Sequence, residues 1–151
     1  MNGNQLEGPV NDDESPELPD AIYQRVTELS EKANEAIESG RPQNAIAPLE
    51  QALELLPSPQ SDWEAWTWLN ASLGQAYFDL QDFQLAKISF LDARSGPDGL
   101  ANPYILLRLG ECLFELGDHD AAKNFLTQAY MTEGVELFSD ENPKYIAFLR
   151  Q

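Results

Sequence analysis

Small residues recur along this chain at matching places in successive helical patterns, and that recurrence leaves little choice of fold. One set runs Ala33, Ala36, Gly40, Ala45, Leu49, Ala52 and Pro57. A second runs Leu73, Gly74, Tyr77, Phe83, Ala86, Phe90, Ala93 and Pro97, and a third Leu109, Gly110, Leu113, Gly117, Ala122, Leu126 and Ala129. The step from Ala33 to Gly74 is 41 residues and from Gly74 to Gly110 it is 36. Glycine or alanine at such points lets two antiparallel helices approach closely, while the large residues plug between successive pairs. A single pair cannot bury its own apolar face, so about three pairs and a cap are needed for a stable unit. The pattern predicts an all-α solenoid.

Punctuation divides the chain into its helices. The first is expected over about 20–39, stopping at Gly40, and the second over 42–56, with Pro48 inside it removing a backbone donor and kinking the helix. The third is expected over 61–80, opened by a capping box in Ser61-Asp-Trp-Glu64. Asp82 caps a fourth, ending near Ser95 before the turn Gly96-Pro-Asp-Gly99. Asn102-Pro103 starts a fifth, proline being well tolerated at the first helical position. It closes at Gly117, and Asp118 caps a sixth running to about Thr132. A short helix around Val135–Phe138 and a last one from Asn142-Pro143 to Leu149 complete the set.

The second set resembles the tetratricopeptide-repeat (TPR) signature, Leu-Gly-x-x-Tyr followed by Ala-x-x-x-Phe and a later proline. The signature's tryptophan falls on Asn70, although Trp66 lies one turn earlier on the same face. The resemblance covers roughly residues 26–132 and implies three TPR helix pairs, about 26–59, 67–100 and 103–133, in a short right-handed solenoid. Residues 134–151 then form a C-terminal cap, residues 19–151 form the domain, and residues 1–18 are an acidic tail expected to be disordered. Both repeat steps exceed the usual length of about 34 residues, so the inter-repeat turns carry insertions.

Charge narrows the classes of partner. The chain has 26 acids against 9 bases, a formal net of −17. Residues 1–20 hold six acids and no base, so the rest still carries −11. Such a surface repels nucleic acid and anionic lipid alike. Uninterrupted apolar runs fall far short of the roughly 20 residues that span a bilayer. The N-terminus has neither the basic start nor the apolar stretch of a secretory signal. With Cys112 the single cysteine, no intrachain disulfide can form, and a cytoplasmic protein is expected.

Catalytic chemistry finds little to work with. His119, the single histidine, lies between Asp118 and Asp120 at a helix start, with no second ligand cluster in view. It falls where TPRs place a packing aromatic. Cys112 lies beside Glu111 and near Glu115, which disfavour a thiolate, and reads as a small buried hydrophobe. No glycine-rich phosphate loop occurs. The expectation is no catalytic residues, no cofactor and no metal.

The TPR resemblance implies that the first helix of each pair lines a concave groove. Carried over to this sequence, the groove positions include Asn34 and Glu38 in the first repeat and Trp68, Gln75, Phe78 and Asp79 in the second. In the third they include Tyr104, Arg108, Glu111, Phe114 and Glu115. The expected groove is aromatic at its centre and edged with carboxylates, which is how protein hot spots are composed. The alternative is that the N-terminal tail or the C-terminal cap covers some of these aromatics. Of the close-set tryptophans, Trp66 belongs to the packing face, Trp68 points toward the groove, and Trp63 fits either place.

Co-chaperone TPRs hold acidic chaperone tails with a clamp of two lysines, two asparagines and an arginine. The corresponding positions here are Ser30, Asn34, Ser72, Tyr104 and Arg108, so both lysines are missing. Glu111 and Glu115 would repel such a tail. The expected function is instead capture of a protein with a basic surface. The chain is also similar to short stand-alone acidic TPR proteins that serve as immunity proteins of bacterial polymorphic toxins, a likeness carried by residues 102–110 and 138–145. That likeness implies a toxin or effector domain as the partner. A chaperone or scaffold subunit holding a client peptide in the groove is the second expectation.

Overall fold

The computed structural model describes residues 17–151, and every regular element in it is helical. Short polar side chains start four of the helices as their chemistry dictates. Asp82 accepts from the Leu85 amide (3.2 Å), Asn102 from Ile105 (3.1 Å), Asp118 from Ala121 (3.3 Å) and Asn142 from Lys144 (3.0 Å). Each satisfies an amide that the helix itself cannot. The helices are α1 (Asp20–Glu38), α2 (Ile46–Leu55), α3 (Glu64–Asp79), α4 (Phe83–Arg94), α5 (Pro103–Glu115), α6 (His119–Glu133) and α7 (Pro143–Leu149). Three short 3-10 turns intervene, at Pro42–Asn44, Gln60–Asp62 and Val135–Phe138.

Two starts differ from expectation. The second helix does not begin at Pro42 and bend at Pro48. A 3-10 turn comes first, and α2 begins at Ile46, so Pro48 lies in its first turn, where a missing N–H costs nothing. Ser61 does not cap α3 either. It sits inside the 3-10 turn, and the residue before α3 is Trp63, with no side-chain capping bond. The indole of Trp63 instead donates to the Pro57 carbonyl at 2.8 Å, closing the enlarged inter-repeat turn. Of the expected N-terminal tail, residues 1–16 lie outside the described residues. Leu18, placed in that tail by the sequence, packs half-buried against the first core cluster.

The helices pair in chain order, α1 with α2, α3 with α4, α5 with α6, and each pair packs on the next. The repeat glycines show why. A Cβ on Gly74 would lie 2.8 Å from the Phe90 ring, and one on Gly110 would lie 2.6 Å from the Leu126 side chain and 3.1 Å from its backbone nitrogen. Both glycines therefore set how close α3 approaches α4 and α5 approaches α6. The plugs between pairs are fully buried: Leu49 and Leu69 in one cluster, Phe90 and Leu109 in the next, Leu126 in the last. Phe90 also meets Tyr104 edge-on, centroids 5.9 Å apart, which joins the second pair to the third.

Asn70, at the place of the signature tryptophan, is buried and donates its amide to the Trp66 carbonyl at 3.0 Å. Trp66 fills the space from one turn earlier and donates to the Asp92 carbonyl at 2.7 Å. The substitution is thereby absorbed within α3 and α4.

Candidate functional site

The first helices of the three pairs share one face, and a groove of about 280 Å³ runs along it. Asn34, Ile37 and Glu38 of α1 form one side, Trp68, Ala71 and Gln75 of α3 the floor, and Tyr104 of α5 the far end. Trp68 is half-buried, with its body against the first core cluster and its remaining surface in the groove. The three tryptophans thus separate by register: Trp63 bonds to the turn that follows α2, Trp66 to the last turn of α4, and Trp68 lines the groove.

Beyond Tyr104 the site becomes polar, organised around Arg108. Its Nε donates to Gln75 Oε1 at 3.0 Å, and its Nη1 donates to Glu111 Oε1 at 2.7 Å and also to Glu141. The guanidinium lies 4.7 Å from the centroid of Phe78 and 5.3 Å from that of Tyr104. Tyr104 donates its hydroxyl to Gln75 Oε1 as well, and Gln75 Nε2 donates to Asp79 at 2.7 Å. One arginine therefore ties α3, α5 and the loop before α7 together. Burial opposes its charge, but Glu111, Tyr104 and Glu141 more than offset this and raise its pKa further.

Glu111 was expected on the groove's exposed acidic edge. It is instead fully buried, beneath Arg108, and its Oε2 has no hydrogen-bond partner. Burial above all, and then the neighbouring Glu141, push its carboxyl up to about 9. The neutral carboxyl is the form that such burial beside Glu141 favours.

The C-terminal cap covers the groove's end. Tyr145 and Phe148 meet Phe114 edge-on at 5.4 and 5.1 Å, and His119 stacks on Phe114 at 5.2 Å. His119 is thus a packing aromatic, as its place in the repeat implies. Tyr145 donates to Glu115 Oε2 at 2.6 Å, and Lys144 pairs with the same oxygen at 2.7 Å. Burial works to raise the Glu115 pKa, but these two hydrogen bonds and the Lys144 charge outweigh it and lower the carboxyl. Between this cap and the C-terminal end of α3 a second pocket of about 460 Å³ opens, lined by Phe78, Asp79, Phe83, Arg108 and Glu141 among others.

Sequence reasoning missed Glu141, Lys144 and Tyr145. A signal was present: Asn142-Pro143 repeats the helix start of Asn102-Pro103, marking α7 as the opening helix of an incomplete further repeat. Such a helix lies beside α5 and faces its groove positions. Cys112 is fully buried and its thiol is pushed up to about 12, chiefly by burial. Among the described residues no group of three or more His, Cys, Asp or Glu could hold a metal ion. No described helix is long and apolar enough to cross a membrane.

The arrangement of paired helices recurs in a known structure. The first TPR domain of the human RPAP3 protein, solved by NMR, superposes with a TM-score of 0.63 at 20% identity. The match covers 84% of this chain and 88% of that one. This is a tetratricopeptide-repeat fold. Residues 104–130, most of α5 and α6, match the tetratricopeptide repeat family model. No curated protein sequence matches the chain. The third pair, which departs from the signature at Leu113 and Leu126, is thus the one the family model matches, while the second carries the fuller signature motif. The TPR is a generic protein–protein interaction module.

Proposed function

We propose that this chain is a non-catalytic binding module that captures a protein with a basic surface on the face formed by α1, α3 and α5. The observation that carries the reading is Trp68, half-buried on the floor of the groove, in a chain of net charge −17. A rigid aromatic with its body packed in the core and one side free is suited to anchor a partner. The surrounding negative field speeds the approach of a cationic protein and repels an acidic one. Arg108, the one cation of the co-chaperone clamp that this sequence retains, is engaged by Glu111 and Glu141. That engagement counts against an acidic-tail ligand.

The finer form of the proposal is a toxin-neutralising immunity protein, whose acidic surface occludes the basic working face of its toxin. The test is co-expression with the product of the adjacent gene, followed by titration calorimetry at low and high salt. A tight complex is expected, weakened about tenfold or more by Trp68→Ala, a loss of hot-spot size, and weakened by salt. If the neighbour is no toxin, or the pair does not associate at either salt, the immunity reading fails. The reading as a chaperone or scaffold draws on the apolar stretch Ile37, Trp68 and Ala71 of the groove. It requires that isolated client peptides bind with little dependence on salt.

A further inference from the structure

We infer that the 460 Å³ pocket between the C-terminal end of α3 and the C-terminal cap receives a single arginine or lysine side chain presented by the partner. The inference rests on the reading of the chain as a binder of a basic protein, and it names where the decisive contact falls. Three features of the lining argue for this occupant. Phe78 and Phe83 meet edge-to-face at 5.4 Å and make an aromatic wall. Asp79 and Asp140, both exposed, stand on the rim. The two cations of the lining are already held by the chain's own carboxylates, Lys144 by Glu115 and Arg108 by Glu141.

These facts select the sign of the ligand. Four acids and two bases line the pocket, so an anion would meet a net negative field with no uncommitted positive group. An uncharged apolar side chain could touch the rings, but it would use neither aspartate. An arginine or lysine uses both: its aliphatic stem lies against the rings and its head reaches the carboxylates. The chain already solves the same problem internally. Arg108 lies over Phe78 at 4.7 Å and Lys144 over Tyr145 at 5.3 Å, so cation-on-ring contact is how this region packs its own charges.

The test titrates the full-length protein, followed by amide chemical shifts, with N-acetyl-arginine amide, its neutral citrulline counterpart and N-acetyl-glutamate amide. Arginine should give saturable shifts confined to residues 78–83 and 140–145 and to Arg108 and Glu115, which share the pocket. Citrulline should bind about tenfold more weakly or worse, and glutamate should not bind. The double variant Asp79→Asn/Asp140→Asn changes only exposed side chains and should abolish the arginine shifts. Equal binding of citrulline, shifts spread evenly over the acidic surface, or an unaffected double variant would each overturn the inference. The complex separates this failure from that of the parent reading. If Trp68→Ala weakens the basic partner but the double aspartate variant does not, the pocket assignment falls and the binder reading stands. If arginine titrates as expected but no basic protein associates, the reverse holds.

Discussion

Inside α5, Glu111 has no solvent contact and only one satisfied carboxylate oxygen, between an arginine and a second glutamate. A carboxyl in that place gives up ionisation before it gives up burial, and its pKa moves from an ordinary value near 4.5 to about 9. Between those two values the folded chain holds a proton that the unfolded chain has released, so stability falls as pH rises through that window. Glu111→Gln keeps an acceptor for Arg108 and a donor toward Glu141, and it has no proton to lose. The variant should match the parent near pH 4 and exceed it at pH 8 by at least about 1 kcal/mol, given that one pKa unit is worth roughly 1.4 kcal/mol. Denaturant unfolding of both proteins from pH 4 to 9 measures the difference. An offset that does not change with pH would mean that Glu111 is ionised in the fold. The sequence places Glu111 on the acidic edge of the groove, whereas the structure buries it beneath Arg108. The sequence could not show the burial, because that depends on Glu141 arriving from a loop 30 residues later.

At the scale of the helix, Gly110 makes the sharper claim. Ordinarily Gly→Ala inside a helix stabilises by about 1 kcal/mol. Here the added methyl would strike the Leu126 side chain at 2.6 Å and crowd its backbone nitrogen at 3.1 Å, so α6 itself must shift. Overpacking of this kind costs about 1–3 kcal/mol. Gly110→Ala should therefore lower stability despite its better propensity, and the loss should shrink in a Leu126→Ala background. A loss of the same size in both backgrounds would place the clash elsewhere. Gly110 and Gly74 were readable because close approach demands glycine and leaves it in the sequence. Helix starts at Asp82, Asn102, Asp118 and Asn142 were readable for a similar reason, each being a local contact over two or three residues. The end of α3, expected at about Leu80 and found at Asp79, has a different basis. Gly40 and Gly117 follow the other first helices with φ of 78° and 87°, but the matching place after α3 is Gln81, at φ 62°. The turn is imposed there by the pairs on either side, and no residue announces it. The starts of α2 and α3 were the ones misplaced, because Pro48 and Ser61-Asp-Trp-Glu64 each fit a local rule that the turn joining the two pairs overrides.

For the whole molecule the governing fact is that each helix packs mainly on its neighbours along the chain. In such an array stability is a sum of unit and interface contributions, and losses at one end need not reach the other. The cap tests this. Tyr145 is buried, and Ile146, Phe148 and Leu149 are half-buried against the last core cluster, covering Phe114. A fully buried side chain of this size contributes about 1.5–3 kcal/mol. Losing all four removes a large share of the 5–15 kcal/mol that holds a typical domain together. A chain ending at Glu141 should consequently lose most amide-exchange protection in α5 and α6, while the cores of α1 to α4 retain theirs. Phe90 against Tyr104 and Gln75 against Arg108 are the contacts that would carry damage further, since they cross from the second pair to the third. If protection fell equally in all helices, those crossings would dominate, and the chain would be one cooperative unit rather than a short array. The outcome also bears on binding. In an array that frays from its end, the side and floor of the groove at Asn34, Ile37 and Trp68 keep their shape without α7, whereas the pocket at Phe78 and Asp79 loses its outer wall. Truncation should therefore spare an anchor at Trp68 and remove the site for a partner's arginine or lysine.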